Sequence, residues 1–75
     1  MNRRPVHSTN VASVGFEPSA DDPSVGTMQV EFHSGHIYEY DEVPVSVYHE
    51  FIAASSAGRY LNQFVSGEYG ERRVS

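Results

Sequence analysis

Ten consecutive residues, Gly35 to Pro44, do most to limit what this chain can fold into. They set a turn glycine, a strand with two tyrosines two apart, and a helix-starting proline side by side. Residues two apart in a strand share a face. Tyr38 and Tyr40 therefore stand together, either as aromatic platforms or as pegs in a core. Upstream, Thr27 to His33 alternates without a break: Met28, Val30 and Phe32 point one way, Thr27, Gln29, Glu31 and His33 the other. That period of two is a strand, and Ser34-Gly35 turns it back as a hairpin.

The register of this hairpin decides the faces, because a slip of one residue swaps them. A two-residue loop at Ser34-Gly35 sets Phe32 opposite Ile37 and Val30 opposite Glu39, with both tyrosines on the polar face. A three-residue loop, His33-Ser34-Gly35, puts glycine where a type I turn with a bulge needs a left-handed residue. Val30 then faces Tyr38, Met28 faces Tyr40, and Glu39 goes to solvent. The second register is preferred, since burying Glu39 unpaired costs several kcal/mol.

Val11 to Phe16 also alternates, with Ala12, Val14 and Phe16 on one face. Residues 17–26, rich in proline, aspartate and serine, read as a loop. Pro44 suits the first position of a helix, preceded by Asp41 and Glu42 at its positive end. Val47, Tyr48, Phe51, Ile52 and Ala54 form its apolar stripe. Ser56 is an N-cap for a second helix, in which Ala57, Tyr60, Leu61, Phe64 and Val65 make a full amphipathic stripe, and Gly67 is a stop. The expected architecture is α+β: a three-stranded antiparallel sheet in the order β-β-β-α-α, its two C-terminal helices packed on one face. Residues 1–9 are expected to be a disordered arm, 10–69 a single domain, and 70–75 a flexible tail.

Composition narrows the function classes. The 75 residues suit one small domain, and such a core supplies only about 3–5 kcal/mol net. Hydrophobic content of 39% and charged content of 20% lie in the globular range. There is no cysteine, hence no disulfide and no thiolate metal site. No apolar run approaches the roughly 20 residues that span a membrane, and no apolar stretch follows Arg3-Arg4 as in a signal peptide. A cytoplasmic protein without membrane partners is expected. The net charge is −5. From Asn10 to Tyr69 one arginine, Arg59, stands against nine acids, which argues against strong phosphate-driven binding to nucleic acid.

No catalytic, cofactor or metal site is expected. His33 and His36 flank the hairpin tip, but an open zinc site needs three ligands and a closed one four; exposed turn histidines are the simpler reading. Ser55-Ser56 with one of the histidines as base would still lack a third group and an oxyanion hole placed by spacing.

The motifs together resemble the KTSC domain, a family named for the C-terminal extension of some lysyl-tRNA synthetases. The resemblance rests on Met28-Gln29-Val30-Glu31-Phe32, Ser34-Gly35, Tyr38-Glu39-Tyr40, Val43-Pro44, Val47-Tyr48 and Ala54. It continues through Ser56, Gly58, Tyr60, Asn62, Val65 and Tyr69, and so runs from about Asn10 to Tyr69. It implies a small non-catalytic binding domain, with RNA as a partner by analogy with the synthetase-attached members. The alternative is a protein–protein interaction or self-association module. The family often carries basic residues near the late tyrosine, where this chain has Gln63, Ser66 and Glu68; Phe16 stands where a tyrosine is often found. The candidate ligand or nucleic-acid-binding residues are Tyr38, Tyr40, Arg59, Tyr60, Asn62 and Tyr69. Each has a structural alternative: core packing for the tyrosines, solvation for Arg59, a local hydrogen bond for Asn62.

Overall fold

The computed structural model describes all 75 residues. Five strands form one antiparallel sheet, in spatial order β1-β2-β3-β4-β5. They are β1 (Arg3–Pro5), β2 (Val11–Pro18), β3 (Val25–Phe32), β4 (Ile37–Pro44) and β5 (Glu71–Arg73). Between β4 and β5 the chain forms helix α1 (Val45–Ala53), then α2 (Ala57–Tyr60), which runs on as a π-helical turn, Leu61–Val65. The expected three-stranded sheet is therefore corrected to five strands. The two additional strands lie at the chain ends, in segments too short and too polar to show a period of their own. They are held by pairing with β2 and β4.

The β3–β4 hairpin takes the bulged three-residue register. Met28 pairs with Tyr40, Val30 with Tyr38, and Glu31 with Ile37. Phe32 N–H donates to the His36 carbonyl at 2.9 Å, and Gly35 N–H to the Phe32 carbonyl at 2.9 Å. Gly35 has φ +96°, the left-handed conformation that the loop requires and that glycine adopts without steric cost.

The inner face of the sheet carries Val11, Val14, Met28, Val30, Tyr40 and Val43, all buried, against Phe51, Ala57, Leu61 and Val65 of the helices. Two irregularities tune this face. Val11 pairs with Phe32 and Ser13 with Glu31, leaving Ala12 as an extra residue. The bulge turns Val11 inward, so Val11 rather than Ala12 joins Val14 in the core. A second bulge sets Asp41 and Glu42 against Thr27 alone, with Glu42 at φ +54°. These two acids belong to the strand and do not cap α1, whose N-cap is Pro44. α2 begins as expected, Ser56 Oγ accepting from the Arg59 N–H at 3.3 Å.

The outer face carries no helix. Its polar side chains bond to one another across all five strands. Arg3 Nε donates to Ser13 Oγ at 3.0 Å, Ser13 Oγ donates to Glu31 Oε1 at 2.8 Å, and Arg3 also reaches Gln29. Gln29 Nε2 donates to Glu39 Oε2 at 3.0 Å, and Arg72 donates to Glu39 at 2.7 Å and to both oxygens of Asp41 at 2.6 and 2.7 Å. Gly15 makes room for this: a Cβ there would lie 2.8 Å from the Asn2 carbonyl oxygen and 3.0 Å from Arg3 Cγ. Arg3 and Arg72 are thus counter-ions of the acidic outer face.

Candidate functional site

The structure divides the sequence-derived candidates among three places. Tyr40 is in the core, 2% exposed. Its hydroxyl pKa is pushed up to about 12, first by burial and then by the negative charge of Glu71. A buried ring cannot stack on a base, so Tyr40 contributes packing and at most its rim.

Tyr38 is half-buried and stands edge-on to Phe32, ring centroids 5.6 Å apart and planes at 90°. Beside it opens a cleft of about 510 Å³ between the hairpin tip, the start of β2 and one side of α2. The hairpin supplies Phe32, His33, Ser34, His36, Tyr38 and the rim of Tyr40. Thr9 and Asn10 come from the entry to β2, and Gly58, Leu61, Asn62 and Ser66 from the helical segment. Glu71 of β5 completes the wall. Asn62 and Tyr38 are thereby brought together, though 24 positions apart in the chain. The bulged register places Tyr38 here, and the π-turn sets Leu61 and Val65 inward so that Asn62 faces out. Asn10 lies against α2: a Cβ on Gly58 would sit 3.2 Å from Asn10 Nδ2. His33 Nε2 is 3.0 Å from the Ser8 carbonyl oxygen, tying the hairpin tip to the segment before β2.

Arg59 and Tyr60 lie elsewhere. They line a smaller hollow of about 170 Å³ with Ser55, Ser56, Gln63 and Phe64. Tyr60 stacks on Phe51 at 5.8 Å and lies tilted against Phe64 at 4.8 Å, and its hydroxyl donates to Glu50 Oε1 at 2.8 Å. Its pKa is raised to about 12 by desolvation and by this bond to Glu50. Phe64, 53% exposed, is the largest apolar group left open. Its exposure follows from the π-turn. Wider turns keep positions four apart on one side, so Ala57, Leu61 and Val65 stay in and Phe64 leaves the expected stripe. Tyr69 is half-buried and packs against the core. Arg59 and Tyr60 thus line the smaller hollow and Asn62 the cleft, with Tyr69 near enough to Tyr60 to add to the rise of its pKa.

Asn10, His36 and Glu71 were not legible as site residues. They come from a strand entry, a turn and a tail, and only the sheet pairing gathers them. No three of His, Cys, Asp or Glu converge as metal ligands, and no helix is long and apolar enough to cross a membrane.

With this geometry in view, comparison with known proteins decides the family. Residues 7–69 match the KTSC domain. The chain belongs to the KTSC domain family. A lysine–tRNA ligase of Nostoc sp. is 39% identical over 54 residues, which is 72% of this chain and 10% of the ligase. A second, of Trichormus variabilis, is 39% identical over 49 residues, 65% of this chain and 9% of the ligase. This KTSC domain thus spans about a tenth of the ligases it resembles. A protein of Stutzerimonas stutzeri is 36% identical over 63 residues, covering 84% of this chain and 82% of its own. The crystal structure of a KTSC domain protein from Yersinia pestis superposes with a TM-score of 0.86 at 27% identity, covering 99% of this chain and 97% of that one. The two backbones therefore align nearly end to end, across the segments that form β1 and β5 in this chain.

Proposed function

We propose that this KTSC domain is a non-catalytic binding module that takes single-stranded RNA in the cleft between the hairpin tip and α2. The observation that carries the reading is the meeting of Tyr38 and Asn62 with Asn10 and His36 around one opening. Aromatic rings and side-chain amides are the groups that stack on and hydrogen-bond to unpaired bases. The lysine–tRNA ligases that carry a similar segment support RNA as the class of ligand. The net charge of −5 makes the contact a weak one, suited to an accessory domain. The reading entails a cytoplasmic protein, a compartment that suits a chain without cysteine. Fluorescence polarisation with a labelled short single-stranded RNA at low salt tests it. Saturable binding that Asn62→Ala weakens is expected; equal binding by wild type and variant, or none, contradicts it.

A second reading is favoured by the Arg59–Tyr60–Phe64 surface. An exposed phenylalanine packed at a tilt against a half-buried tyrosine is a feature of protein contact sites. Sedimentation across a concentration range, for wild type and Phe64→Ser, decides whether that surface joins copies of the chain.

A further inference from the structure

We infer that the cleft recognises the base of its ligand and not the phosphate. This rests on the cleft being the binding surface proposed above, and deepens that reading by naming the chemical group it holds. The inference comes from the charges around the opening. No lysine or arginine lines it, and its one fixed charge is the carboxylate of Glu71, which repels phosphate.

None of the five arginines of the chain lines it. Arg3 and Arg72 are tied into the outer face of the sheet by Ser13, Glu31, Glu39 and Asp41. Arg4 is on the edge strand β1, far across the sheet from β4. Arg59 lines the other hollow. Arg73 is the nearest by register, opposite Tyr38, and its Nε donates to the Ser75 carbonyl at 3.1 Å. One phosphate contact, through Arg73, is the most this arrangement allows.

What the cleft does offer is neutral. Asn10 and Asn62 each carry two N–H donors and a carbonyl acceptor, and Thr9, Ser34 and Ser66 each carry a hydroxyl that can do either. A nucleobase edge presents donors and acceptors side by side, which such groups match; a phosphate presents acceptors only. Tyr38 adds a half-buried ring held in place by Phe32, a surface for the apolar face of a base. The volume of about 510 Å³ is that of a small-molecule site, roomy enough for a nucleoside.

Two arms test the inference. In the first, amide shifts are followed by NMR while the four ribonucleosides, and separately ribose 5-phosphate, are added at a pH of about 8, where imidazoles are ordinarily neutral. At least one nucleoside is expected to shift Asn10, Tyr38 and Asn62 saturably, with ribose 5-phosphate leaving them in place. Asn62→Ala, a change at an exposed position, is expected to weaken the nucleoside by about threefold or more, the loss of one hydrogen bond. Shifts with ribose 5-phosphate alone, or with neither probe, overturn the inference.

In the second arm the affinity for a short single-stranded RNA is measured between about 50 and 200 mM salt. A log–log slope no steeper than about −0.7, one phosphate's worth, is expected; a slope of about −1.4 or steeper overturns base recognition while leaving RNA binding intact. Conversely, nucleoside binding without RNA binding upholds the base site and removes RNA as its ligand.

Discussion

Glu42 occupies a backbone conformation that side chains with a Cβ adopt at a cost. Its φ of +54° sits inside the β4 bulge, and its side chain is exposed. Glycine there relieves the steric strain but adds unfolded-state entropy. Glu42→Gly is expected to raise stability by about 0.5 kcal/mol, read as a higher urea midpoint; a lower midpoint contradicts the assigned strain. At the same scale the hairpin register was legible. Gly35 at the third loop position and the cost of burying Glu39 together select it, and both tyrosines fall where that register puts them. How deeply each would be buried at the cleft was not legible, because tertiary packing leaves Tyr38 half-buried and Tyr40 2% exposed. The same holds for Asn62 and Phe64: a period of 3.6 cannot foresee a π-turn, and that turn leaves Phe64 exposed and Asn62 at the cleft.

At the scale of elements, the terminal strands are the surprise. β5 has three residues, all exposed, and no apolar alternation. Its attachment is the ladder with β4 and the Arg72 pairs with Glu39 and Asp41. Exposed ion pairs are worth about 0–1 kcal/mol each, more when bidentate and networked. Arg72→Ala is expected to lower the denaturation midpoint at low salt and to lower it less at high salt, measured by denaturant melts at two ionic strengths. An equal loss at both would mean that packing, not charge, holds β5. Removal of residues 70–75 goes further. It bares the β4 edge from Tyr38 to Tyr40, and an unpaired edge is a template for another strand. Sedimentation of the truncated chain is expected to show concentration-dependent association stronger than any the intact chain shows. The sequence offered a reason to look here, since four of the five arginines lie near the ends. The outer-face partners of Arg3 and Arg72 became visible only with the sheet order.

For the whole molecule, one core of ten buried apolar residues carries the fold. Phe51 is the largest of its fully buried side chains, 1% exposed, joining helix to sheet. Phe51→Ala is expected to cost about 3–5 kcal/mol, comparable to the entire stability of a domain this small, so the variant should be largely unfolded by circular dichroism at 25 °C. Stability also depends on pH at the alkaline end. Tyr40 and Tyr60 hold their protons up to about 12, against 10.0 ordinarily. Above 10 the unfolded chain has released protons that the folded one retains, so stability is full below that pH and falls as pH rises through 12. Thermal melts across this window should show a falling Tm that Tyr40→Phe flattens. An unchanged slope in that variant would mean that Tyr40 is not the group responsible.

The central claim, that ligand enters between the hairpin tip and α2, is tested most directly by mapping amide shifts on adding a short single-stranded RNA at low salt. The cleft geometry predicts a contiguous set of shifts at Asn10, residues 33–38, and Gly58 and Asn62, with the amides around Phe64 unmoved. Shifts confined to the Arg59–Tyr60–Phe64 surface, or none at saturating RNA, would contradict it.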